Sequence, residues 1–220
     1  MKKLIVTIDG PAGAGKTTVS RKLADRLGYR YIDTGALYRG VAYEASHLGI
    51  SSEDDERLKR LCRDLKLNLT RSKDGLRLIA NGVDITSRIR TPEITMLASA
   101  VSARAPVRDY LLGLQRELGK EKCAVFEGRD MGTVVFPDAD IKFFLIASQK
   151  TRALRRYNEL KLKENMTIEK VEEDLTRRDA NDSNRDLAPL KAAADAIIID
   201  STDLNADGVV SAMMAHIEDV

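Results

Sequence analysis

The sequence predicts an α/β fold: a parallel sheet of about five strands with flanking helices, a small antiparallel β insertion and a helical lid. Three observations carry that reading. An apolar run at the N-terminus feeds a glycine-rich loop and then an amphipathic helix, the order of a strand–turn–helix unit. Later apolar runs of strand length each end in polar residues and alternate with helical patterns, as parallel strands joined by crossovers do. Between residues 51 and 90 the alternation breaks into short strands joined by turn residues.

In chain order, Leu4 to Ile8 is long enough for one strand buried on both faces. It leads into Gly10, Pro11, Ala12, Gly13, Ala14, Gly15, Lys16 and Thr17, a full match to G-x-x-x-x-G-K-[ST], with Thr18 following. In this pattern the glycines let successive N–H groups turn inward around a phosphate. Lys16 reaches the outer phosphates of a nucleotide, and the Thr17 hydroxyl can ligate Mg²⁺. Val19, Leu23, Ala24 and Leu27 share one face of the helix that follows, and Gly28 stops it. Phosphate would then lie at a helix N-terminus, where unpaired N–H groups and the dipole favour an anion.

Tyr29 to Asp33 reads as a second strand and Ala36 to Leu48 as a helix, which places Thr34 and Arg39 beyond a strand's carboxyl end. Ser51 and the acidic residues to Glu56 open a short helix reaching about Leu65. Leu67–Thr70 and Leu76–Ala80 are strands joined by a turn at 71–75, and Asn81-Gly82 signals a hairpin into Val83–Ile85. Thr91 and Pro92 begin another helix as cap and first residue, bearing Ser99 late in its length. After a break near Arg104 a further helix, with Arg108 early in it, runs to Leu118 and ends at Gly119.

Cys123–Glu127 and Ile141–Ile146 are buried strands, and the first is followed by Gly128, Arg129 and Asp130. Thr151–Lys163 and Ile168–Asp182 are charged helices carrying ten basic and eight acidic residues between Lys150 and Arg185. Such runs are usually solvated faces. Arginines near a phosphate loop also serve as a lid that closes over transferring phosphates. Arg152, Arg155, Arg156 and Arg178 on these helices, and Arg185 just beyond them, are candidates for that role. Ala196–Asp200 is the last strand and Asn205–Glu218 the last helix.

Composition narrows the function classes. Thirty-six basic against 34 acidic residues leave a formal charge of +2, without the basic excess of a nucleic-acid binder. Cys62 and Cys123 lack metal-like spacing and read as reduced thiols of a cytoplasmic protein. His47 and His216 sit in no zinc motif. No run is long enough to span a membrane, and no signal peptide precedes the first strand.

Four segments together resemble the bacterial cytidylate kinase family: 10–16, 33–39 (Asp-Thr-Gly-Ala-Leu-Tyr-Arg), 127–137 (Glu-Gly-Arg-Asp-Met-Gly-Thr-Val-Val-Phe-Pro) and 178–185 (Arg-Asp-Ala-Asn-Asp-Ser-Asn-Arg). The resemblance covers nearly the whole chain. It implies the phosphate-loop nucleoside monophosphate kinase fold and transfer of a phosphoryl group from ATP to CMP or dCMP with Mg²⁺. It also implies a core of about 1–50, 91–149 and 186–220, a monophosphate-binding insertion of about 51–90 and a lid of about 150–185. By the same resemblance Ser99, Arg108 and Asp130 hold the base, Arg178 and Asp182 contact the sugar region, and Thr34 lies near the monophosphate. Arg39, Arg129, Arg178 and Arg185 surround the acceptor phosphate and the moving phosphoryl, with Lys16 on the donor side. A cytoplasmic monomer that binds neither nucleic acid nor membrane is expected.

The sequence departs from the family at two places: Thr34 stands where several relatives have Ser, and Thr17 where some have Gly. Two other readings share part of the pattern. A shikimate, gluconate or adenylate kinase would share the loop but not the set Ser99, Arg108 and Asp130. A GTPase-like switch or nucleotide-binding adaptor would carry Asn-Lys-x-Asp, which this sequence lacks.

Overall fold

The computed structural model describes residues 2–72, 75–160 and 167–218. The chain forms two compact units, Met1–Asp33 with Leu118–Val220, and Thr34–Glu117.

The first unit is built on a five-stranded parallel sheet: β1 (Ile5–Asp9), β2 (Arg30–Asp33), β6 (Ala124–Glu127), β7 (Ile141–Ile146) and β8 (Ile197–Asp200). Its order is β2-β6-β1-β7-β8, so the strand leading into the phosphate loop lies at the centre. Val6, Ile8, Val125, Phe143 and Leu145 are almost wholly buried. Each such side chain contributes about 1.5–3 kcal/mol by leaving water. One face is closed by α1 (Lys16–Leu27) and α8 (Ala206–Glu218), whose Val19, Leu23, Val209 and Met213 join the same cluster. Two more helices, α6 (Gln149–Leu160) and α7 (Ile168–Asn184), meet through Ala153, Val171 and Leu175 and pack on Ala12 of the phosphate loop. The expected end of the first of these helices, at Lys163, lies outside the described residues, as does part of the turn at 71–75.

The second unit holds α2 (Thr34–His47), α3 (Asp55–Asp64), α4 (Pro92–Val101), nearly all of α5 (Ala105–Gly119) and an antiparallel sheet. The sheet orders β3 (Leu67–Ser72), β4 (Gly75–Ala80) and β5 (Val83–Asp84). A Cβ on Gly40 of α2 would stand 2.8 Å from Leu78 and 3.2 Å from Leu67, so the hairpin sheet seats directly on that helix. This packing explains why the antiparallel insertion forms one compact unit with the helices around it.

Local differences from the sequence reading have local causes. Asp54, not Ser51, caps α3, its Oδ1 accepting from Arg57 N at 3.0 Å. Thr91 caps α4 with Pro92 first in the helix, as expected. Ile85 leaves the ladder after Asp84 and is buried. The polar loop after β6 continues into a π-helical turn at Met131–Val135, closed by Val135 N to Asp130 O at 3.2 Å and Phe136 N to Met131 O at 2.7 Å.

Candidate active site

The phosphate loop begins where β1 ends. Gly10 takes φ 141°, and a Cβ there would fall 2.1 Å from Leu145 O, so the loop can leave the sheet at this point only as glycine. Gly15 then precedes α1, whose first residue is Lys16. Lys16 is 4% exposed, and its ammonium donates to Gly10 O at 2.7 Å and Pro11 O at 2.6 Å. Burial pulls its pKa well below the ordinary lysine value, and the Arg129 guanidinium pulls the same way; Glu127, Asp182 and Asp9 oppose both. An anionic phosphate would supply the negative charge that this ammonium has only in part.

Two carboxylates at strand ends organise the space around the loop, and sequence reasoning assigned neither a role. Asp9 closes β1 and accepts from Met131 N at 2.9 Å and Gly132 N at 2.8 Å, fastening the π-helical turn to the central strand. Burial raises its pKa to about 6, against the two N–H bonds that lower it. Glu127 closes β6. Its Oε1 accepts from the Thr17 hydroxyl at 2.8 Å and its Oε2 from the Tyr31 phenol at 2.6 Å. The available signal was positional: an ionisable residue ending an apolar run beside the loop-bearing strand.

Arg129, Asp130, Asp182 and Arg185, named from the third and fourth segments, form two ion pairs. Arg129 Nε donates to Asp182 Oδ2 at 2.9 Å, and its Nη1 to Gly128 O at 3.0 Å. Burial works to lower the Arg129 pKa, but Asp182, Glu127 and Asp179 together hold it above the ordinary value. Arg185 Nη2 donates to Asp130 Oδ1 at 3.4 Å, both side chains being almost fully buried. The structure therefore joins a residue assigned to phosphate with one assigned to the base, and another pair in which the second was assigned to the sugar. Arg178 lies on α7 in the same unit.

The other lid candidates, Arg152, Arg155 and Arg156, separate clearly. Arg156 lies on the helix surface with Glu159 at 2.8 Å, the solvated face that charge runs usually make. Arg152 and Arg155 brace the phosphate loop instead. Arg152 Nη1 donates to Ala12 O at 2.9 Å and pairs with Asp179, while Asp179 Oδ1 accepts from Ala12 N at 3.1 Å. Arg155 donates to Ser201 O at 2.6 Å and Ser201 Oγ at 3.0 Å, and Ser201 Oγ donates to Ala14 O at 3.2 Å.

Thr34, Arg39, Ser99 and Arg108 belong to the second unit. Thr34 is buried as the first residue of α2, and Arg39 is half-buried on the same helix. Arg108 on α5 donates to Ser102 O at 3.1 Å and lies over the Tyr38 ring at 5.9 Å. Ser99 Oγ on α4 is buried with no hydrogen-bond partner among the described residues. A buried hydroxyl in that state costs stability unless something pairs it, which suits a ligand-binding group.

The family model described as cytidylate kinase matches residues 6–219. The chain belongs to the cytidylate kinase family. A cytidylate kinase of Geobacter sulfurreducens is 52% identical over 211 residues, 96% of this chain and 91% of that protein. One from Ligilactobacillus salivarius is 46% identical over 220 residues, covering 100% of this chain and 98% of its own length. Among solved structures, a gluconokinase from Sinorhizobium meliloti superposes with TM-score 0.53 at 13% identity, covering 99% of this chain and 93% of that one. A shikimate kinase from Acinetobacter baumannii gives 0.50 at 17%, covering 99% and 94%. These two share the fold alone. As a member of the cytidylate kinase family the chain is a kinase on a phosphate-loop scaffold, and no helix among its described residues is long and apolar enough to cross a membrane.

Proposed function

We propose that this chain transfers the γ-phosphoryl of ATP to CMP or dCMP, giving ADP and CDP or dCDP, with Mg²⁺ as cofactor. The observation that carries the reading is the family match from residue 6 to 219 over a phosphate loop whose buried Lys16 lies among Arg129, Glu127 and Asp182. The acceptor is already an anionic phosphate, so no dedicated general base is required. Catalysis then rests on in-line positioning and on neutralising the moving phosphoryl.

In this reading Lys16 holds the donor phosphates, and Arg39, Arg129, Arg178 and Arg185 hold the acceptor phosphate and the group in flight. Planar guanidinium forks suit bidentate phosphate contacts. Ser99, Arg108 and Asp130 read cytosine through its N4 amino donor and its N3 and O2 acceptors. Asp182 gives Oδ2 to Arg129, and its other oxygen would take a ribose hydroxyl. Thr34 lies near the monophosphate. Residues of about 51–90 serve as the monophosphate-binding insertion and about 150–185 as the lid. We place the protein in the cytoplasm as a monomer.

The Thr17 hydroxyl and the Glu127 carboxylate, 2.8 Å apart, are hard oxygen donors of the type Mg²⁺ prefers. They would hold the ion, directly or through water, while phosphate oxygens complete its coordination. Bound there, Mg²⁺ neutralises charge on the donor phosphates.

A coupled assay of ADP release with ATP, Mg²⁺ and each nucleoside monophosphate tests the proposal. CMP and dCMP should be good acceptors, UMP clearly poorer, and AMP and GMP poorest. Equal use of AMP, or preference for shikimate or gluconate, would reassign the acceptor within the fold. Slow ATP hydrolysis with no acceptor used would favour a nucleotide-dependent switch.

A further inference from the structure

Glu127 is held at both oxygens, at one by the phosphate loop and at the other by a neighbouring strand. Thr17 donates to Oε1 at 2.8 Å and Tyr31 to Oε2 at 2.6 Å. Tyr31 lies on β2, the strand beside β6, and the register pairs Tyr31 with Val125 and Asp33 with Glu127. Tyr31 and Asp33 therefore project from the same face of β2. A side chain as long as tyrosine reaches along that face to the carboxylate two positions on. The Arg21 guanidinium sits over the Tyr31 ring, 5.2 Å from its centre.

We propose that Tyr31 is a positioning residue for phosphoryl transfer: its phenol locks the Glu127 carboxylate in the orientation that engages Thr17 and the metal–nucleotide complex. The proposal rests on the Mg²⁺-dependent reaction set out above. Glu127 is 8% exposed, so few waters can replace the phenol at Oε2. Without that donor the carboxylate loses a hydrogen bond that fixes its orientation and gains alternative rotamers.

Tyr31→Phe keeps the ring and its packing against Arg21 while deleting the donor. The expected result is a fall of about tenfold in kcat, as for a lost hydrogen bond to a charged group, with KM for CMP within about twofold of wild type. Calorimetry with ADP as the probe should show affinity weakened about fivefold or more in the presence of Mg²⁺ and unchanged without it. In a Glu127→Ala background the same substitution should leave the Mg²⁺-dependent affinity for ADP unchanged, because the carboxylate that the phenol positions is gone. Unchanged Mg²⁺-dependence of ADP binding would overturn the proposal. So would equal losses in both backgrounds, or a lowered melting temperature with kcat intact, since these describe packing alone. If wild type phosphorylated no nucleoside monophosphate, the proposed function would fall while the ADP–Mg²⁺ measurement still decided the role of Tyr31.

Discussion

Replacing Asp130 tests whether this carboxylate reads the base, and its pairing sets what else the substitution does. Asp130 and Arg185 face each other at 3.4 Å with side chains 3% and 4% exposed. Asp130→Ala removes a carboxylate partner from a buried guanidinium, and breaking a buried ion pair in this way typically costs about 3–5 kcal/mol. Arg185 cannot simply swing out, because its Nε also donates to Ala188 O at 2.5 Å. Asp130→Ala combined with Arg185→Met removes both charges and should be less destabilising than the sum of the single changes. Urea unfolding of wild type, both singles and the double gives the coupling, expected at about 2 kcal/mol or more. Base reading is measured separately as the ratio of kcat/KM for CMP to that for UMP, in which the folded fraction cancels. Uracil presents O4 where cytosine presents its N4 amino group, so a buried carboxylate there rejects it. Losing the carboxylate should narrow the ratio by about tenfold or more. A single-variant cost below about 1 kcal/mol would refute the ion-pair reasoning. An unchanged ratio would transfer base choice to Ser99 and Arg108.

Lys16→Ala should keep the fold and lower turnover by about 10²–10³ or more, since the ammonium acts on phosphate charge; near wild-type rates in a folded variant would remove it from the site. Arg178→Ala should lower kcat more than it raises KM for CMP, and a pure KM effect would mean uniform binding rather than stabilisation of the moving phosphoryl. Asp9 titrates near 6 in the fold against 3.8 as a free side chain, chiefly through burial and then through Asp130, with Lys16 and the two turn N–H groups opposing. The folded state thus binds this proton more tightly than the unfolded chain, and stability falls as pH rises from about 4 to about 6, by on the order of 3 kcal/mol in all. Asp9→Asn should flatten that part of the curve of unfolding free energy against pH, and a slope identical to wild type would contradict the assignment.

The parts of this molecule that were legible in advance are those whose cause is local. The apolar run closing on Gly10, the lysine after Gly15 and the Pro92 start of α4 each state their conformation within a few residues. The paired arginines do not. Arg129 finds Asp182 53 positions away and Arg185 finds Asp130 55 away, so no spacing rule could join them. The π-helical turn was equally hidden, because Asp9 sets it from 122 positions upstream by taking the Met131 N–H. Arg152 and Arg155 looked like surface charge, since only the docking of α6 on the phosphate loop turns them toward Ala12 and Ser201. Glu127 is the instructive case. It ends a fully apolar strand, and burying a carboxylate at such a place is costly unless something fixed pairs it. Its partners prove to be the Thr17 hydroxyl of the phosphate loop and a tyrosine on the neighbouring strand. A polar residue that closes an interior strand therefore marks the site even when no role has been assigned to it, because only the chemistry beyond the strand end can offset the cost of its burial.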